Sequence, residues 1–304
     1  MKKTYLLAAF AACVTGLVTS CSEDELSSES VIVADKVEET PFDKWLKVNL
    51  LTPYNIEFKY RYSYNESTTE YYTVPANYEE AIKLVHIVKY SCIEAYNEVA
   101  GITFTRTYFP KLFYLEGEWR YNNNNTIELG SAEGGKKINL MGVNYVDTYV
   151  KSVSTLNRYY LKTIHHEFAH ILNQTRDYSA SYQLITPNYL ADQWSVAPND
   201  TGYLKRGFIS SYAQHSHTED FAEMLSMYVT NTPAQWEEWM EEAAGTTASP
   251  ASGRAYLEAK LNIVRLYMQN TFDIDIDNLR DAVLRRENDI VDGKIDLEDI
   301  TIDE

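Results

Sequence analysis

His166-Glu167-Phe168-Ala169-His170 is the stretch on which the reading of this chain turns. Around it Leu156, Tyr159, Tyr160, Ile164, Phe168 and Ile171 recur at helical spacing, which predicts an amphipathic helix over about 155–173 with Ser154 or Thr155 as N-cap. On a helix, residues four apart stand one turn above each other on one face. His166 and His170 can therefore bind one tetrahedral Zn²⁺ at about 2.0–2.1 Å. Glu167 points beside the metal rather than at it. There it can take a proton from a zinc-bound water and pass it to a leaving amine. This is the physical content of an H-E-x-x-H string, and it predicts hydrolysis of peptide bonds with one catalytic ion. His165 should face away from the metal and reads as structural, as does the lone helical His86.

A catalytic zinc needs a third protein ligand and one open position. Asn173 and Arg176 stand where a glycine and a histidine would have to follow His170 at metzincin spacing, so the third ligand comes from further along. The best segment is 212–224, a run that includes Tyr212, His215, His217, Glu219, Asp220 and Glu223. Glu219 and Glu223 lie one turn apart on a predicted helix over about 217–229. One can bind zinc while the other accepts the Nδ1–H of a ligating histidine. Asp220 points about 100° away from Glu219 and remains a rival ligand. His215 and His217 are further candidates for the metal or for the developing oxyanion.

Glu219-Asp220-Phe221-Ala222-Glu223 after HEFAH resembles the zinc domain of anthrax lethal factor and related gluzincins. That resemblance implies Glu219 as ligand, Glu223 as its support and Tyr212, seven residues before Glu219, as the phenol that stabilises the transition state. A wider resemblance rests on Leu17-Val18-Thr19-Ser20-Cys21, the acidic run after it, the first strand Pro53 to Tyr60, HEFAH and EDFAE. Together these resemble the zinc-binding metallopeptidase lipoproteins of Bacteroidetes, which implies company with outer-membrane nutrient-uptake proteins.

Outward from the two motifs, Tyr54 to Asn65 alternates aromatic and polar residues with period two, predicting a strand whose tyrosines face a helix. A helix is expected over about Tyr78 to Val99, ended by Gly101, then strands over Ile102 to Tyr108, Lys111 to Leu115 and Thr126 to Val143. Lys137 to Val143 is the candidate edge strand for an extended substrate. Residues 174–210 read as irregular. Helices should follow after Thr232-Pro233 and over Arg254 to Thr271, and Asp289 to Glu298 reads as a solvated acidic tail. Sheet first and helices later predicts an α+β fold, zincin-like by its motif.

The N-terminus reads separately. Lys2 and Lys3 precede an apolar run from Tyr5 to Val18, too short for a membrane helix and right for a signal segment. The lipobox-like end makes Cys21 the lipidation position. The expected organisation is 1–20 signal, 21–40 acidic tether and 41–304 peptidase domain, on an outer-membrane lipoprotein exposed at the cell surface. Of the three cysteines, Cys92 alone lies within the domain, on an apolar helix face, so no disulfide is expected. A formal charge of −17 argues against nucleic acid and anionic lipid as partners and leaves a peptide or protein substrate. Two other readings stay open: a lipoprotein whose zinc is not catalytic, and a glycan-binding module using the tyrosine stripe.

Overall fold

The computed structural model describes residues 38–123, 126–245 and 252–302. The expected signal segment, Cys21 and most of the tether lie outside the described residues.

The domain opens with a helix, not a strand. Thr40 caps α1 (residues 41–54) through a reciprocal box with Asp43, and Pro41 fills its first position. α1 runs through a π turn, Lys47–Leu51, and ends where Asn55 turns left-handed at φ +56°. The expected twelve-residue strand is therefore short. β1 is Glu57–Lys59, because Tyr54 still belongs to the helix and the chain turns after Tyr60. Tyr60 is buried with its hydroxyl on Asp43, whereas Tyr62 and Tyr64 are exposed. The tyrosine stripe thus divides between core and solvent and forms no continuous platform.

α2 (residues 78–108) joins Tyr78–Val88, a π turn Lys89–Ile93 and Glu94–Tyr108. Gly101 breaks it with φ +79°, as a terminating glycine should, but the chain resumes as helix. The predicted strand Ile102 to Tyr108 is thus helical: its Phe104 ring packs edge-on against Phe168 and Phe272, and tertiary contact overrides its β-branched composition.

The strands follow as β2 (Leu112–Leu115), the small hairpin β3 (Arg120–Tyr121) with β4 (Ile127–Glu128), β5 (Gly130–Glu133) and β6 (Lys137–Leu140). The main sheet has the order β1-β2-β6-β5, with β5 antiparallel to three parallel neighbours. β6 pairs on both sides, so the expected edge at 137–143 is interior, and β5 is the edge instead.

α3 (residues 153–175) comprises Val153–Leu156, a π turn Asn157–Leu161 and Lys162–Thr175. Its cap is Ser152, which accepts from the Thr155 N–H; Ser154 and Thr155 already lie inside the helix. Ile164, Phe168, Ile171 and Leu172 are buried in the core, and Phe168 meets Tyr96 and Phe109. Gly130 lets β5 approach this helix, since a Cβ there would stand 2.5 Å from Thr163 Cγ2. The remaining α-helices longer than a single turn are α4 (His217–Val229), α5 (Pro233–Ala244), α6 (Gly253–Phe272) and α7 (Ile276–Val291). The α+β class stands, with helices on both sides of the sheet in sequence order.

His86 packs against Trp45 at 4.4 Å between ring centroids, and burial holds its pKa below the usual histidine value of 6.5. His165, buried beside Tyr96, is pushed down to about 3 for the same reason. Both rings are neutral in the fold and protonate readily in the unfolded chain. Their stabilisation is complete above pH 6.5 and is lost as pH falls below it. In urea titrations with chelator present, each of these histidines contributes a falling slope of at most about 1.4 kcal/mol per pH unit between pH 7 and 5, against the opposite slope of His166 and Asp220, whose folded pKa values are raised. His86→Gln should flatten that slope; an unchanged slope would assign the acid sensitivity elsewhere.

Candidate metal centre

Three side chains converge at the floor of a cleft of about 1100 Å³. His166 Nε2 and His170 Nε2 stand 3.1 Å apart, and Glu219 Oε2 lies 2.9 Å from the first and 3.1 Å from the second. Helix spacing brings the histidines together, and the N-terminal turn of α4, capped by Ser216, presents Glu219. Ligands of a tetrahedral ion at 2.0–2.1 Å lie about 3.3 Å from each other, so this donor set fits zinc with shifts of a few tenths of an ångström. These are the ligating groups that meet among the described residues.

The electrostatics favour a cation here. Burial opposes a charge on His166, but hydrogen bonds and attraction from Glu219 and Glu223 outweigh it and push its pKa up to about 10. Glu219 is likewise held well below the usual carboxylate value, because its histidine contacts outweigh burial. Glu223 is fully buried behind His166, with Oε1 2.8 Å from Nδ1 although the ring N–H does not point straight at that oxygen. Lys162 Nζ lies 2.6 Å from the same oxygen, and Ser210 donates to Oε2 at 2.6 Å. With Nδ1 facing a carboxylate, the His166 tautomer leaves the Nε2 lone pair for a metal.

Glu167 is buried beside this group, and burial raises its pKa against the pull of the two histidines. The Ala132 N–H of β5 hydrogen-bonds its carboxylate. Tyr212 lies with its ring centroid 5.9 Å from that of His166. Desolvation and the neighbouring carboxylates keep its phenol protonated, as a donor must be.

Each rival has another occupation. Asp220 points to the opposite side of α4, where Lys260 Nζ meets it at 2.6 Å with both groups fully buried. His217 Nδ1 lies 2.7 Å from the Tyr178 hydroxyl. His215 stacks on Tyr212 at 5.8 Å between centroids and sits 3.6 Å from Asp192. Cys92 is a buried free thiol near His165. Lys162 was absent from the expected site, yet it precedes His166 by four residues and so shares its face, a signal present in the sequence. The Ala132 amide has no such signature.

Replacing Glu223 by alanine strips the buried side of His166 and leaves Lys162 without its carboxylate. Zinc affinity should fall about 10–100-fold, read by competition with a chromophoric chelator. Affinity within twofold of the parent protein would remove Glu223 from the site.

The arrangement defines a metallopeptidase-like α+β protein. A family described as "Putative zinc-binding metallo-peptidase" matches residues 35–277, and the chain belongs to that family. It is also similar to the crystal structure of a "putative zinc-binding metallo-peptidase" from Bacteroides caccae ATCC 43185. The identity is 36 %, the TM-score 0.72, and the match covers 90 % of this chain and 100 % of the other. No curated protein matches the chain.

Proposed function

We propose that the chain is a zinc-dependent peptidase of the gluzincin type, working at a bacterial cell surface where lipid on Cys21 anchors it beside nutrient-uptake proteins. One observation carries the catalytic reading. Glu167 lies between the two histidines, next to three converging ligand atoms, in an open cleft. Neither a structural metal site nor a sugar-binding face requires a buried carboxylate there.

His166, His170 and Glu219 hold the ion. Zinc, when bound, supplies Lewis acidity and a lowered pKa for water. Glu167, with its raised pKa, accepts the proton of the attacking water and returns it to the leaving amine. The Tyr212 hydroxyl donates to the carbonyl oxygen as negative charge develops on it. Gly130, Ser131 and Ala132 of the edge strand line the cleft, so an extended peptide can add to the sheet there.

The test is digestion of a peptide library by zinc-loaded protein beside its Glu167→Gln twin. Cleavage by the parent alone supports the reading. If both proteins bind zinc and neither cuts, or both cut equally, the reading fails. Membrane fractionation of cells carrying Cys21→Ala tests the anchor: the protein should leave the membrane fraction.

A further inference from the structure

The charges of the cleft do not balance. Among its described lining residues Lys162 is the sole ammonium or guanidinium, and it is committed to Glu223. A bound dication and Lys162 together match Glu167, Glu219 and Glu223. Glu128 is answered by Arg120 at 2.9 Å. Two carboxylates remain. Asp177 lies just beyond the C-terminal end of α3, exposed, lining the cleft and forming no ion pair among the described residues. Asp192 lines the cleft on the side of Tyr212 and His215, with its side chain 95 % exposed. Its one charged-group contact among the described residues is His215 Nε2, at 3.6 Å, longer than a hydrogen bond.

We infer that the cleft selects cationic peptides, with Asp177 and Asp192 as the residues that receive an ammonium or guanidinium group. This rests on the peptidase reading and names its substrate class. A peptide with glutamate or aspartate near the scissile bond meets uncompensated carboxylates and no free cation. A peptide with lysine or arginine meets two exposed partners inside a concave wall, where the field of a single sign is focused. The whole chain, at −17, attracts the same peptides from a distance. The cation could belong to a side chain or to a free peptide N-terminus, which share the chemistry.

The experiment uses three peptides with one apolar core, flanked by lysines, glutamines or glutamates, each with a free or an acetylated N-terminus. Hydrolysis is measured as kcat/KM on the zinc-loaded protein. Affinity is measured by fluorescence anisotropy on its zinc-loaded Glu167→Gln variant, so binding is read without turnover. Lysine peptides should be favoured over glutamate peptides by about tenfold at low salt, and the ratio should shrink as salt rises above about 0.15 M. Asp177→Asn with Asp192→Asn should bring the ratio near one, with lysine peptides losing kcat/KM and glutamate peptides gaining it. A ratio that survives in this double variant, or glutamate peptides bound as well as lysine peptides, overturns the inference. A preference for free over acetylated N-termini in all three peptides, lost in the double variant, assigns the cation to the peptide N-terminus and supports it. Glu167-dependent cleavage without charge preference sinks the inference and spares the peptidase reading. Charge-selective binding with no cleavage by the parent protein does the reverse.

Discussion

Replacing Glu167 by glutamine is expected to leave zinc bound and to lower kcat by about 10²–10⁴, the usual worth of a positioned general base. The substitution keeps size and shape, and the side-chain oxygen can still accept from the Ala132 N–H. What it removes is the basic oxygen. Burial holds the carboxyl above the usual glutamate value of 4.5, so its proton affinity is closer to working pH than an exposed glutamate's. A base acts only when deprotonated, so the parent's activity should rise with pH through that elevated pKa. The residual activity of the variant should lose that limb. KM should move little, because Glu167 acts in the transition state rather than in binding. Metal content and kcat are measured on the same sample. A variant that keeps both zinc and full turnover would remove Glu167 from the chemistry. A variant that loses zinc would show that its charge balances the ion.

The parts legible in the sequence are those whose signal is local. HEFAH needs only the pitch of a helix to bring two imidazoles to one point. The helix bounds His217–Val229 follow from apolar period and from Ser216, whose hydroxyl caps it. Whether Glu219, Asp220 or Glu223 faces the histidines depends on how α4 rolls against α3, and helix geometry alone leaves that open. In the structure Glu219 faces the histidines, and Asp220, the next residue, pairs with Lys260, far along the chain on α6. β5 lies inside the strand region expected over Thr126 to Val143, but its place as the sheet edge at the cleft is not legible there for a different reason. Gly130-Ser131-Ala132-Glu133 has little strand propensity, and Gly130 is there because α3 comes too close for a side chain. Conversely, the tyrosine alternation of 54–65 looked like a long strand because period two is blind to a left-handed residue at Asn55 and to the turn after Tyr60.

Breaking the Asp220–Lys260 pair by removing one partner is expected to cost about 3–5 kcal/mol, because it leaves an uncompensated buried charge. Both side chains are fully buried, and their groups are 2.6 Å apart. Lys260 also donates to the Gly207 carbonyl at 2.7 Å and lies 4.2 Å from the Phe208 ring centroid, while Tyr189 donates to Asp220 at 3.0 Å. Burial still dominates: it pushes the Asp220 carboxyl up to about 6 and the Lys260 ammonium down, despite their contact. The pair therefore adds little net stability, yet either charge left alone in that place is expensive. Asp220→Ala should lower Tm by roughly 6–20 °C, at about 2–4 °C per kcal/mol for a domain of this size. Asp220→Leu with Lys260→Met should recover most of the loss, since it removes both charges. A single variant melting within about 2 °C of the parent would mean that water reaches Lys260. The double variant separates stability from register. Glu219 is the residue before Asp220, so if the pair sets the roll of α4, zinc affinity falls in the double variant even where its Tm has recovered. If zinc affinity returns together with Tm, packing alone holds Glu219 toward His166 and His170.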